Sequence, residues 1–487
     1  MGRICCLKHK AYGRPYDYIH ETSSTEFYII HTMSLNRIKY EIRDVIHSLL
    51  ERSPIEVQII NTAVFQRLRR IFQLALANLV YPGAHHTRLE HCMGTMHVAG
   101  RIADRLKDAG KITEDELINI RLAALLHDIG HGPFSHVSEY LLQKYYVREK
   151  VEIGKNIEKI HELVTEDIIK NDDELEKILS GEQKEAIIEL LHKGSKKNFK
   201  SDIVSGPLDA DKLDYLLRDN YHTGVKYGLF DLDKIIESLR VIKFGIEETY
   251  LGISEEGIYA LEQLIMAKYH MTTQVYFHRI RGITDCMIIR GIETAVDEGL
   301  DEAKDIYQYD GTKDFMKRYC DYNDSNLMDL IRKKGGKLSR EIFDRLYNRR
   351  LLKLIHSRRL SDISGIKLKD RYTNLEATDR KELEKRIAEK MKVDPALVII
   401  NIFDIKKPIG RPEGFSINDD SILVDLEGKE PEEIKNVKWS IFNFEGAFKT
   451  PELRVHAPYD KLTNTVDKQK QKEYKKLDDM VCKILYS

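Results

Sequence analysis

Three separated stretches of this chain make chemical sense only if the fold brings them to one point: Arg88-Leu89-Glu90-His91, the doublet His127-Asp128, and Asp211 within Leu208-Asp209-Ala210-Asp211-Lys212-Leu213-Asp214-Tyr215. In order they spell H…HD…D, two imidazoles and two carboxylates. That mixed nitrogen and oxygen set suits Fe(II), Mn(II), Zn(II) or Mg(II) and leaves coordination positions for water and a phosphate oxygen. Such a site is built for hydrolysis.

Local signals place the doublet at a helix exit. Thr113-Glu114-Asp115-Glu116 is a capping box that opens an apolar helix running through Leu122-Ala123-Ala124-Leu125-Leu126, and Gly130 with Gly132-Pro133 stops it. Neighbouring residues inside a helix point about 100° apart, so adjacent ligands reach one ion most easily where the last turn loosens. An isolated His-Asp pair would read as a core histidine beside a surface acid. Here the segment continues through His131 to His136 on a glycine-interrupted turn. Each of these two histidines is able to donate to a phosphate oxygen or act as an acid near neutral pH.

Asp211, Tyr215 and Asp219 recur at helical spacing and line one face. One end of that face serves the metal. Farther along, a phenol and a second carboxylate suit a sugar and its hydroxyl. Leu213, Leu216 and Leu217 form the core side, and Asp209 and Asp214 are expected on the solvated side.

Gln66-Arg67-Leu68-Arg69, the run Val80 to His91, the segment His127 to His136 and the face Asp211 to Asp219 together closely resemble the HD-domain deoxynucleoside triphosphate triphosphohydrolases. The similarity extends from about Asp44 to about Ala295, fainter beyond, and is strongest to the branch of the vertebrate antiviral dNTPase and its smaller microbial relatives. The resemblance implies a dNTP substrate, a divalent metal on His91, His127, Asp128 and Asp211, and Arg88, His131, His161 and Lys212 around the triphosphate. It places His136, with Glu139 as its acidic partner, near the scissile bond. It assigns Gln73, Leu74, Tyr215 and Asp219 to the sugar pocket, and Tyr276 beside sugar and base. Lys268 stands where the relative has an arginine, and Phe277 where it has a glutamine. An activating nucleotide is implied at Asn61, Gln66, Arg69, Val80, Tyr81, Arg240, His278 and Arg279, together with a homo-oligomer, a tetramer in the first instance. Asn61 replaces a carboxylate that reads guanine, which implies altered guanine selectivity.

A chain of 487 residues holds a substantial core and more than one domain. Its 78 basic and 79 acidic residues exert no global pull toward nucleic acid or anionic membrane. Only a local patch, such as the lysine run Lys468 to Lys476, offers nucleic acid a contact, and a solvated helix face is its ordinary reading. Cys5, Cys6, Cys92, Cys286, Cys320 and Cys482 are too scattered for a disulfide framework, which points to a reducing cytoplasm. No apolar run approaches the roughly 20 residues that span a bilayer.

The expected fold is mainly α: a helical HD-domain core with a smaller C-terminal α+β lobe. Residues 1–32 read as a flexible extension ahead of Met33, residues 33–310 as the helical domain, and residues 311–487 as the lobe. Ile258 to Ile292 reads as one or two long helices. A Gly194-Ser195-Lys196-Lys197 loop precedes the Asp211 helix. In the lobe Thr378 caps a helix with the stripe Leu383, Ile387 and Met391, followed by strand-like Val398 to Phe403 and Ser421 to Leu426. The activity implied is hydrolysis of a dNTP to deoxynucleoside and triphosphate. Its rivals are an HD phosphohydrolase acting on monophosphates or cyclic nucleotides, and a nucleotide-sensing or nucleic-acid-binding module with secondary hydrolysis.

Overall fold

The computed structural model describes residues 40–147, 149, 159–192, 198–243, 248–359, 362, 375, 377–403, 422–426, 430–437, 452–459 and 468–486. The extension over residues 1–32 and the Gly194-Ser195-Lys196-Lys197 loop lie outside them.

Helix starts follow the local signals. Helix α1 (Arg88–Asp108) opens with Thr87 N donating to Glu90 Oε2 at 2.5 Å. Helix α2 (Glu114–Leu126) carries the expected box: Glu116 N donates to Thr113 Oγ1 at 3.3 Å and Thr113 N to Glu116 Oε2 at 2.7 Å. It stops at Leu126, so His127 and Asp128 do stand at its exit. Helices α3 (His136–Tyr145), α4 (Ile160–Asn171) and α5 (Ala210–Thr223) complete the surround of the site, and Gly224, at φ 73°, closes α5 in the left-handed region that glycine enters without strain. The helix Ile258–Met271 passes through a π-type turn at Thr272–Tyr276 into α6 (Arg279–Asp297), which packs on α7 (Lys337–Tyr347).

The molecule is mainly α with a smaller C-terminal lobe, as expected, but strands interrupt the span expected to be all helix. β1 (Tyr40–Asp44) and β2 (Ser48–Arg52) form a hairpin. β3 (Leu239–Lys243) and β4 (Thr249–Ser254) are antiparallel neighbours. β4 also pairs in parallel with the much later β7 (Leu423–Asp425), and β7 with β8 (Glu432–Glu433), giving the order β3-β4-β7-β8. Leu251, Gly252 and Ile253 are buried in succession, so β4 never shows the alternation by which a half-buried strand is recognised.

In the C-terminal lobe β9 (Glu452–Ala457) lies between β5 (Lys353–Arg359) and β6 (Ile399–Phe403), all antiparallel. Helix α8 begins at Ala377 and runs to Met391, which puts Thr378 in its first turn rather than at its cap. Helix α9 (Lys468–Tyr486) exposes Lys472, Lys475 and Lys476, while Val481, Ile484 and Leu485 join Ile355, Leu383, Ile387, Ile400 and Val455 in a separate small core. Burying each such side chain is worth about 1.5–3 kcal/mol. The main core runs through Leu352 and also takes in Leu397, Ile399, Ile422, Val424, Leu426, Ile434 and Val437, so the helices Lys313–Cys320, Asp324–Lys334 and α7, which lie past residue 310, pack with the helical domain. None of the described helices is long and apolar enough to cross a membrane.

Candidate metal centre

His91 stands in the first turn of α1, His127 and Asp128 follow the end of α2, and Asp211 lies in the first turn of α5. His91 Nδ1 is 2.8 Å from Asp214 Oδ2, and His127 Nδ1 is 2.8 Å from the Ala124 carbonyl. A carbonyl and an ionised carboxylate only accept, so each neutral ring carries its proton on Nδ1 and turns a bare Nε2 toward Asp211. Those Nε2 atoms lie 2.9 and 3.6 Å from Asp211 Oδ1, and 3.6 and 3.4 Å from the two oxygens of Asp128. Both are buried without a hydrogen-bond partner among the described residues, because the 2.9 Å approach lacks hydrogen-bond geometry. Ligands about 2.0–2.2 Å from one ion stand about 3–3.5 Å from each other. His91, His127 and Asp211 therefore fit a divalent cation, with Asp128 alongside them.

Electrostatics say the same. Burial works against a charged His91, yet Asp211 and Asp214 lift its pKa to about 10; a cation would satisfy those carboxylates in place of the proton. Asp211 and Asp128 are both held below the usual carboxylate range against the effect of burial, Asp211 by His127 and His91, Asp128 chiefly by Arg88.

Two carboxylates expected on the solvated face of α5 are buried instead. Asp209 caps the helix, accepting from Lys212 N at 2.8 Å, and burial pushes its pKa up to about 6 although Lys212 opposes it. Asp214 is wholly buried and accepts from His91, from His47 Nε2 at 2.7 Å, and from Arg218 at 2.8 and 2.9 Å. Arg218, also wholly buried, reaches Asp44 at 2.8 Å. A lone buried charge would be prohibitive, and this network neutralises it. Gly94 on α1 makes room: a Cβ there would strike Asp214 and Arg218.

Beside the cluster, Arg88 pairs with Asp128 and donates from Nε to Ser135 Oγ at 2.9 Å, while one terminal NH2 is buried without a partner among the described residues. The rings of His131 and His161 stack at 4.3 Å, and His136 meets His131 edge-on at 5.6 Å. Glu139, expected beside His136, is bonded to the His161 ring at 2.5 Å and to the backbone N–H groups of Ile160 and His161 at 2.8 and 3.1 Å. Burial opposes the charge on His161, but Glu139 raises its pKa; burial, with Arg88 and His161 nearby, drives His131 well down. Lys212 Nζ is tied to Asp209 at 2.5 Å and to the Gly206 carbonyl at 2.9 Å. The turn entering α3 is strained, with φ of 61° at Phe134 and 53° at Ser135. Asp324 holds it by accepting from Phe134 N at 2.7 Å and Phe72 N at 3.0 Å.

On the other side, Asp219 accepts from Tyr276 Oη at 2.7 Å and lies 2.7 Å from His86 Nε2. Tyr215 stands between His91 and Tyr276, its ring 6.4 and 6.1 Å from theirs. Gln73, buried, donates its backbone N–H to the His86 carbonyl at 3.1 Å, which brings buried Leu74 alongside as well. Lys268 is half-buried on the helix before the π-type turn.

The HD domain family model matches residues 88–219, and that of the HD associated region residues 230–427. The uncharacterized protein MJ1154 of Methanocaldococcus jannaschii is 32% identical over 90% of this chain and 86% of its own. The chain belongs to the HD-domain family. It is also 30% identical to the deoxynucleoside triphosphate triphosphohydrolase SAMHD1 homolog of Dictyostelium discoideum over 64% of this chain and 59% of the relative, so it spans less than two thirds of that protein. A hypothetical protein from Aquifex aeolicus, solved as a crystal structure, aligns with a TM-score of 0.64 at 26% identity, covering 91% of this chain and 99% of that one. HD-domain membership and the fit of the cluster to a cation support a metal-dependent phosphohydrolase.

The residues matched to an activator site fall into groups in this HD-domain chain. Arg69 donates to Gln66 Oε1 at 3.0 and 3.2 Å, and Gln66 to the Ile60 carbonyl at 2.7 Å, next to exposed Asn61. Tyr81, next to Val80, meets His278 edge-on at 5.8 Å, and His278 caps α6 beside exposed Arg279. Arg240 on β3 donates to the carbonyls of Glu237 and Leu239. No described contact joins the three groups. Sequence reasoning missed Asp214, Arg218, His86 and Asp324. Only the i, i+4 spacing of Asp214 and Arg218 was a usable signal.

Proposed function

We propose that this HD-domain protein is a dNTP triphosphohydrolase, converting a dNTP and water to a deoxynucleoside and inorganic triphosphate. The observation carrying this reading is that the cation-binding cluster sits between two differently built flanks. Arg88 and the His131–His161 stack form one, suited to polyanion; the Tyr215–Asp219–Tyr276 face forms the other, suited to a sugar.

His91, His127, Asp128 and Asp211 would hold a divalent cation, which would supply Lewis-acid polarisation of an α-phosphate oxygen. Arg88, oriented by Asp128 and Ser135, offers its unpartnered NH2 to the triphosphate. His161, whose pKa Glu139 raises against burial, adds positive charge when protonated, and Lys212 and His131 complete that wall. Asp219, with its oxygens oriented by His86 and Tyr276, accepts from the 3′-hydroxyl, while Gln73 and Leu74 close the wall at the 2′ carbon. Lys268 lies toward the base. Water attacks the α-phosphorus, the bond from phosphorus to the 5′-oxygen breaks, and His136 protonates that poor leaving group. The enzyme works in the cytoplasm as a homo-oligomer, with activating nucleotides at subunit contacts that gather the three groups above.

Incubating the protein with each dNTP and NTP under Mg, Mn or Fe(II) in ¹⁸O-water tests this. The expected products are deoxynucleoside and ¹⁸O-labelled triphosphate. Release of dNMP and pyrophosphate, label in the deoxynucleoside, or equal turnover of NTPs would overturn it.

A further inference from the structure

A second set of metal-binding side chains meets in the C-terminal lobe. His356 on β5 is 3% exposed, with Nδ1 2.7 Å from Asp478 Oδ1 and 3.8 Å from Cys482 Sγ. Asp478 and Cys482 are one turn apart on α9 and so share a face. The three donor atoms all lie within 4.8 Å of one another. The other ring nitrogen of His356 is 3.1 Å from the Tyr486 hydroxyl. A metal-binding imidazole is built this way, one nitrogen toward the other ligands and the other fixed by an outer partner.

We propose that His356, Asp478 and Cys482 form a Zn(II) site distinct from the hydrolytic centre, which staples α9 onto β5. Nitrogen, carboxylate and thiolate donors suit zinc, and three protein ligands leave a fourth position for water. Zn–N and Zn–S bonds of about 2.1 and 2.3 Å set nitrogen and sulfur about 3.6 Å apart in a tetrahedron, close to the 3.8 Å seen. The Nδ1–Asp478 contact has to open from 2.7 Å to about 3.3 Å for the same geometry. On binding, Nδ1 is freed for the metal while the neutral ring keeps one proton on Nε2 toward the Tyr486 hydroxyl, and the thiol proton leaves to solvent. One carboxylate and one thiolate then balance the dication, so a half-buried site carries no net charge.

Sulfur separates this site from the hydrolytic one, whose four matched ligands are all imidazole or carboxylate. The full chain, stripped by a chelator and titrated with Co(II) under reducing conditions, should develop a thiolate-to-cobalt charge-transfer band that added Zn(II) removes. Cys482→Ser should abolish the band and keep hydrolytic turnover, and Asp211→Ala should keep the band. In the unmodified protein, Zn(II) should slow alkylation of Cys482, and Tyr486→Phe should weaken Zn(II) binding about 10-fold. A missing band, a band that survives Cys482→Ser, or alkylation indifferent to Zn(II) would overturn the site and leave the hydrolase reading untouched. His356 and Asp478 would then be a plain ion pair.

Discussion

The two His-and-carboxylate clusters of this molecule differ in what their donors already do. At His91, His127 and Asp211 both imidazoles are locked from behind, by Asp214 and by the Ala124 carbonyl, and face a carboxylate without bonding to it. At His356, Asp478 and Cys482 the imidazole already bonds the carboxylate in front of it. The first cluster joins three helices inside the main core, with buried Asp214, Arg218 and Asp44 as its foundation. The second joins a strand and a helix at the rim, with Asp478 45% exposed. Leaving buried polar atoms unpaired is expensive. A cation completing the set would remove that cost at the first cluster, and under the zinc proposal one would fasten the second.

The largest effect should follow from removing a ligand of the first cluster. Asp211→Ala or His127→Ala should abolish bound catalytic metal and reduce turnover to background, with helical circular dichroism retained. Full turnover of metal-stripped Asp211→Ala protein would dissolve the contrast. Next, His136→Ala should keep its metal but lose about 10²- to 10⁴-fold in kcat, the usual worth of a general acid. If His161→Ala shows that loss and His136→Ala does not, the proton comes from the ring bonded to Glu139. Smaller still is the effect of the support behind the ligands. Asp214→Asn should weaken metal affinity about 10- to 100-fold in protein that remains folded, and unchanged affinity in a metal titration would make Asp214 merely structural.

The smallest effect separates the regions by pH. Burial and the neighbouring Arg454 push His456, on β9, down to about 3 from 6.5. Its folded pKa is depressed, so the stability contributed by the neutral ring is fully present above 6.5 and declines as pH falls toward 3. Hydrogen exchange of β5, β6 and β9 should accelerate across that window ahead of α1 and α2. His456→Leu should flatten the response, and an identical pH profile in the variant would discount this histidine.

Sequence by itself determined what local chemistry determines. The box at Thr113, the exit of α2 and the spacing of Asp211, Tyr215 and Asp219 follow from bonds and faces within a few residues, and the structure shows each of them. That His91, His127 and Asp211 meet was legible because each lies in a run constrained by its neighbours. Tertiary structure alone decided which carboxylates are buried. A helix pattern treats Asp214 as solvated, and only packing against Gly94, His47 and Arg218 shows that its charge is neutralised inside. The same holds for Glu139 on His161 and for His86 on Asp219, since each contact crosses between elements distant in the chain. It holds again for β4 on β7, where Ile253 meets Val424. Strands this short carry too little periodicity to announce themselves. Their pairing joins segments far apart in the chain, which no local pattern records.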